Sequence, residues 1–266
     1  MNVSITLADR QALQNAHNLL NNPGLAARIS NLIGTPVEKG LAMIPNDWNS
    51  KIGEITKLAL TKAVDAAIFT LEDKPNDESS NLGHKFSAAV TGGVGGFFGL
   101  VGLTLELPIS TTIMMRSIAD IARSEGETLS SCDTQMACLE VFALGGDSKS
   151  DDGSESGYYA IRTMLAKTIS QAAEYTAGSV IAEKAAPPVL TRLITVVAER
   201  FGLQITEKAA AQAVPAIGAV GGALINTLFI DHFQDMARGH FTVRRLERRY
   251  GAEAVQLAYS QIGNNM

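Results

Sequence analysis

Positive charge, aromatic rings and cysteine are all scarce in this chain of 266 residues. Its 22 lysines and arginines are outnumbered by 27 aspartates and glutamates, leaving a net charge of −5. A general nucleic-acid binder needs a basic surface against phosphate, so nucleic acid is not an expected partner. Aromatic residues make up 6% of the chain although 46% of it is apolar; a core of alanine, leucine and glycine suits closely spaced helices better than a β-sandwich. The two cysteines, Cys132 and Cys138, are six positions apart, which on a helix is about 9 Å of rise and beyond disulfide reach. They are expected as packed thiols, and with no CxxC or histidine-rich tract there is no zinc framework.

Nucleotide and hydrolase signatures are missing too. The glycines between 92 and 102 fail GxGxxG because the third glycine position falls on Phe98, and neither GxxxxGK, GxSxG nor HExxH occurs. No cofactor is expected. The opening MNVSITLADR has neither the positive start nor the long apolar run of a secretory signal, which points to a cytoplasmic chain.

What the sequence does have is helical spacing, and the expected fold class is all-α: one multi-helix domain over 1–266, with 1–49 as an N-terminal helical extension. Residues 7–20 read as a short helix stopped by Asn21-Asn22-Pro23-Gly24. Thr35-Pro36-Val37-Glu38 reads as a capping box that opens a helix ending near Pro45. From Ser50 to Thr70, Ile52, Ile55, Ala59, Ala63 and Ala66 fall on one face. Cys132 to Leu144 reads as another helix, and the polar run 145–157 as a flexible surface loop. Ile161, Leu165, Ile169, Ala172, Thr176 and Val180 trace a long helix that Pro187-Pro188 is expected to end.

The organising stretch is TGGVGGFFGLVGLTLELP, from Thr91 to Pro108; no residue from Phe86 to Leu105 is charged. Gly92 with Gly96, and Gly95 with Gly99, have the small-xxx-small spacing that lets a second helix backbone approach. Pro108 suggests a turn at Glu106-Leu107-Pro108, so that 86–124 form a helical hairpin packed with 209–250, where Gly218 and Gly222 repeat the spacing. Each uncharged stretch is long enough to cross a bilayer; the other reading of both is the buried centre of a soluble bundle.

Three sets of residues could carry function. Asp231, His232 and Asp235 sit within one helical turn, and two carboxylates with an imidazole could hold a divalent metal that activates water, which makes a metal-dependent hydrolase the alternative function. Glu106, Arg116, Asp120, Arg123, Asp235 and Arg238 flank the apolar stretches and read as ion pairs that fix how those stretches dock; Asp-x-Ala-Arg occurs at 120–123 and again at 235–238. Arg244, Arg245, Arg248 and Arg249 lie beyond the second apolar stretch, placed for anionic lipid at a membrane surface or for a solvated helix end before Gly251.

Taken in order, TGGVGGFFGLVG at 91–102, Glu-Leu-Pro at 106–108, RSIADIAR at 116–123, CLEVFALGG at 138–146, PAIGAVGGALIN at 215–226 and the run from Asp235 to Gly251 resemble the EcsC family. The resemblance spans about residue 50 to residue 251. It implies a setting of membranes and transport: a non-enzymatic accessory protein at the inner face of the cell membrane, with lipid or a membrane protein such as an ABC transporter as partner. Two positions depart from the family pattern. Glu106 replaces the usual aspartate before Leu-Pro and keeps the carboxylate; Glu125 stands before Gly126 where an aromatic is usual, which predicts that this helix end lies in water.

Overall fold

In a computed structural model that describes residues 4–21, 24–34, 37–45, 48–68, 99–146, 157–178, 188–213 and 218–264, the chain is all-α, with ten helices and no strand among those residues. In chain order they are α1 (Leu7–Leu20), α2 (Leu25–Ile33), α3 (Val37–Leu41), α4 (Trp48–Ile68), α5 (Gly99–Ser124), α6 (Cys132–Glu140), α7 (Gly157–Gly178), α8 (Pro188–Ala213), α9 (Gly218–Tyr250) and α10 (Ala252–Asn264). A single 3₁₀ turn, Val141–Ala143, extends α6.

Local chemistry accounts for most of the boundaries. Thr6 caps α1 by accepting the Asp9 N–H at 3.2 Å, satisfying one of the orphan donors of the first turn. The start of α3 is held from outside: the Val37 N–H donates to Ser30 Oγ at 3.1 Å. The expected Thr35-Pro36 start lies outside the described residues, and α3 stops at Leu41, short of Pro45. The helix end expected at Pro187-Pro188 falls between α7, described to Gly178, and α8, described from Pro188, and so lies outside the described residues. Gly251 separates α9 from α10 with φ +88°, a conformation that a side chain would strain.

The expected turn at Glu106-Leu107-Pro108 does not occur. One 26-residue helix runs through Pro108, so the hairpin arms over 86–124 are corrected to a single rod from Gly99 onward. Proline removes one rung and costs about 3 kcal/mol in a helix interior. Burial of this segment offsets that cost: Leu107 is fully enclosed, and Met114, Met115, Ile118, Ile121 and Ala122 continue the buried face. The hydroxyls of Ser110 and Thr112 fold back onto the carbonyls of Leu107 and Pro108 at 3.2 and 2.8 Å.

The long helix α9 is the spine, with α1, α2, α5, α8 and α10 all packed on it. At 33 residues it is about 50 Å long. It runs parallel to α5, because the bonds between them keep nearly one sequence offset: Gln234 to Ser117, Thr242 to Glu125 and Arg244 to Glu127 are each 117 residues apart, and Arg245 to Glu125 is 120. Against α8 the direction reverses, since Lys208 meets Asn226 while Phe201, a turn or two earlier, meets Phe229 and Phe233. Helix α4 closes the other side of α5 and also touches α8.

Two glycines outside the expected motifs mark close helix crossings among the described residues. A Cβ on Gly40 would sit 2.0 Å from the Ala210 carbonyl oxygen, and one on Gly239 would sit 2.6 Å from Leu20 Cγ. These are the crossings of α3 with α8 and of α1 with α9. Of the expected packing glycines, Gly92, Gly95 and Gly96 lie outside the described residues, Gly99 and Gly218 are the first residues of α5 and α9, and Gly222 is buried within α9.

Candidate functional site

Three polar clusters sit along α9, and the first lies deepest. Lys208 of α8 is fully buried and donates through Nζ to Glu106 Oε1 at 2.6 Å and to Asn226 Oδ1 at 2.7 Å, with Nζ 4.7 Å from the centre of the Phe229 ring. One ammonium thus ties α5, α8 and α9 together. The side chains of the ion pair are 0% and 2% exposed, a depth at which a charge persists only when paired and hydrogen-bonded. Helical spacing marked Glu106 and gave no sign of its partner, which lies 102 residues away.

The second cluster surrounds the C-terminal end of α9. Arg244 pairs with Glu127 at 2.9 Å and Asp133 at 2.5 Å. Arg245 pairs with Glu125 at 2.7 Å and Asp9 at 3.6 Å. Arg248 reaches Glu127 and the Glu125 carbonyl, and Arg249 reaches Asp9 at 3.0 Å. All four arginines therefore meet carboxylates of their own chain, and Arg248 and Arg249 also stay exposed. Glu125 does not end in water as expected: it is half-buried and accepts from Arg245 and Thr242. The Tyr250 hydroxyl donates to Asp9 at 2.6 Å and, with Thr6 and the two arginines, holds that carboxyl below its ordinary pKa against the opposing effect of burial.

The echoed Asp-x-Ala-Arg segments take the same form twice. Arg123 pairs with Asp120 on α5, and Arg238 with Asp235 at 3.1 Å on α9. Asp235 is shared with Arg28 of α2 at 3.3 Å, so this pair also fixes α2. Arg116 lies on the same helix as the first pair, with its Nε buried and making no hydrogen bond.

Asp231, His232 and Asp235 are not gathered as metal ligands. They lie mid-helix in α9, and among the described residues no three histidine, cysteine or acidic side chains are grouped to hold an ion. Asp235 is taken by arginines, and the His232 ring is packed under Gly145, where a Cβ would come within 2.5 Å of Nε2. Burial pushes the imidazole down to about 3, which keeps it neutral. Both cysteines are thiols, and burial pushes Cys138 up to about 12.

The third cluster has no counterpart in the sequence reading. Glu140 at the end of α6, Tyr158 at the start of α7 and His240 of α9 converge in the interior, each at most 4% exposed. The Tyr158 hydroxyl lies 3.1 Å from His240 Nδ1, and His240 Nε2 lies 3.8 Å from Glu140 Oε2. His240 and Tyr158 belong to segments of ordinary helical pattern, and their meeting is a product of how α7 docks on α9.

Among the described residues no helix is long and apolar enough to cross a membrane. The model of the EcsC protein family matches residues 8–246. No curated protein and no solved structure matches the chain.

Proposed function

The chain belongs to the EcsC protein family, and on that premise we propose that it is a non-enzymatic accessory protein that rests on a membrane by one apolar end of its bundle, beside a membrane protein such as an ABC transporter. The observation that carries this reading is an exposed apolar patch near the starts of α5 and α9. The start of α5, the end of α8 and the start of α9 lie together, as the Glu106–Lys208–Asn226 bonds require. At that end Leu105 is 76% exposed, Ile109 52% and Leu224 48%, and the Glu106 and Lys208 charges are turned inward upon each other. Leu105 and Ile109 are four apart on one face, directly continuous with the uncharged stretch from Phe86. The arginine cluster lies at the other end, about 30 Å along α9 from Leu224. This patch and the arginine cluster therefore lie at opposite ends of α9, and the pairing of all four arginines of that cluster with carboxylates of the chain supports the apolar patch as the face toward lipid.

Vesicle flotation separates the two. Neutral phosphatidylcholine vesicles should bind the parent chain, and binding should persist at high salt. Leu105→Glu with Leu224→Glu should weaken it at least tenfold, while Arg248→Gln with Arg249→Gln should leave it within a factor of two. Absence of binding to neutral and anionic vesicles at low salt would overturn the proposal; binding only to anionic vesicles, lost with the arginines, would move the contact to the opposite end.

A further inference from the structure

The Glu140, Tyr158 and His240 cluster holds two buried polar atoms, Glu140 Oε1 and His240 Nε2, that make no hydrogen bond. Unpartnered groups at such depth are uncommon and costly. The gap of 3.8 Å between Oε2 and Nε2 is too long for a hydrogen bond. The ring is oriented from its other side by Tyr158, whose hydroxyl stays protonated because burial raises its pKa.

The charged and titratable groups around this pair come from every element packed on it. Helix α7 contributes Tyr158, Tyr159 and Arg162, the last forked onto Glu247 at 2.7 and 2.9 Å. Helix α9 contributes Glu247 and Arg244, and α6 contributes Asp133, which with Glu127 holds Arg244. Tyr259 of α10 closes the cluster, its ring 5.6 Å from Tyr158 and 5.2 Å from Tyr159. The two arginines are thus each neutralised by their own carboxylates, and neither bonds Glu140.

We propose that the Glu140–His240 contact is a pH-sensitive clasp: with Glu140 protonated it holds the end of α6 and the start of α7 against α9, and loss of that proton loosens them. The imidazole cannot take the proton in place of the carboxyl, because burial together with Arg162 and Arg244 holds it far below its ordinary pKa. When Glu140 ionises it becomes an interior carboxylate whose nearest ring nitrogen, at 3.8 Å, is beyond hydrogen-bond reach, and the uncompensated charge favours admitting water or moving the elements apart. Burial pushes the Glu140 carboxyl up from 4.5 to about 7. A raised carboxyl pKa means that the closed form binds a proton the open form releases, so the closed form is favoured most below pH 4.5 and loses ground as pH rises to about 7. Between pH 6 and pH 8 the opening equilibrium should increase about tenfold.

Hydrogen exchange of the full chain, read on peptides covering 132–146 and 157–166 and corrected for the intrinsic effect of pH, measures that opening. The parent should open about tenfold more readily at pH 8 than at pH 6, Glu140→Gln should open equally at both, and Tyr158→Phe, which keeps the carboxyl, should retain the pH dependence. A parent that exchanges alike at both pH values, or a dependence that survives Glu140→Gln, would overturn the clasp. Should Glu140→Gln fold poorly, infrared spectra of the parent decide the matter: a protonated-carboxyl band present at pH 6 and gone at pH 8 supports the proposal, and an unchanged spectrum refutes it.

Discussion

Replacing Glu106 with glutamine tests whether the interior of the bundle is as dry as its geometry requires. Glutamine keeps the size and one acceptor but removes the charge, leaving the Lys208 ammonium at 0% exposure with neutral acceptors and the Phe229 face in place of its carboxylate. Breaking one side of a buried pair costs about 3–5 kcal/mol, because the remaining charge keeps its desolvation penalty and loses its compensation. Lys208→Met should cost a similar amount, stranding Glu106, whose Oε2 already lacks a hydrogen bond. The double replacement Glu106→Gln with Lys208→Met removes both charges and leaves two neutral amides, the new glutamine and Asn226, beside each other. It should fall within about 2 kcal/mol of the parent, since replacing a whole buried pair is near neutral and an amide that loses one hydrogen bond costs about 1–3 kcal/mol. Urea unfolding followed by helical circular dichroism gives the three stabilities, and an unchanged slope shows that the unfolded reference is shared. A coupling of at least about 3 kcal/mol is expected between the two sites. Singles that each cost less than about 1 kcal/mol, or a double that equals their sum, would mean that water reaches the pair and that it does not fasten the three helices.

Gly40→Ala should lose about 1–3 kcal/mol, because the new methyl meets the Ala210 carbonyl and only backbone movement makes room. Gly53→Ala, on the same side of the chain but facing open space within α4, should gain about 0.5–1 kcal/mol in the same thermal melts. Asp9→Asn should cost about 1.5–3 kcal/mol at pH 7, the worth of hydrogen bonds to a charged group. Because that carboxyl is held below its ordinary 3.8, the stabilisation is present above that pH and fades as pH falls further, so parent and variant should converge in acid unfolding curves.

Helical spacing made much of this fold legible. The limits of α1, and of α4 to within two residues, follow from where Leu13, Ile52, Ala59 and Ala63 fall, because one buried face is enough to define a helix. Proline misled at one place: local rules treat it as a break, whereas Pro108 sits inside a helix whose buried face runs on through Leu107, Met114 and Ile118. The Asp120–Arg123 and Asp235–Arg238 pairs are three residues apart and so could be proposed from spacing alone. Lys208, Glu125, Glu127 and Asp9 could not be matched to their partners, since those meetings depend on how α5, α8 and α1 dock on α9. The third cluster was hidden for the same reason: Glu140, Tyr158 and His240 come from three helices, and nothing local to any of them marks it as facing the others.

The clasp of Asp9 by Tyr250 and Arg249 joins residues 240 and 241 positions apart. A ribosome makes α1 about 240 residues before this part of its docking surface. At about 5–20 residues per second the wait lasts roughly 12–50 seconds, during which Leu13, Ala16 and Leu20 have no groove to enter. Early segments must therefore be sheltered by one another or by a chaperone, and a chain released before Tyr250 leaves its first helix without a seat. The seating of α1 therefore waits on synthesis of the C-terminal turns of α9, whatever order the other helices assemble in.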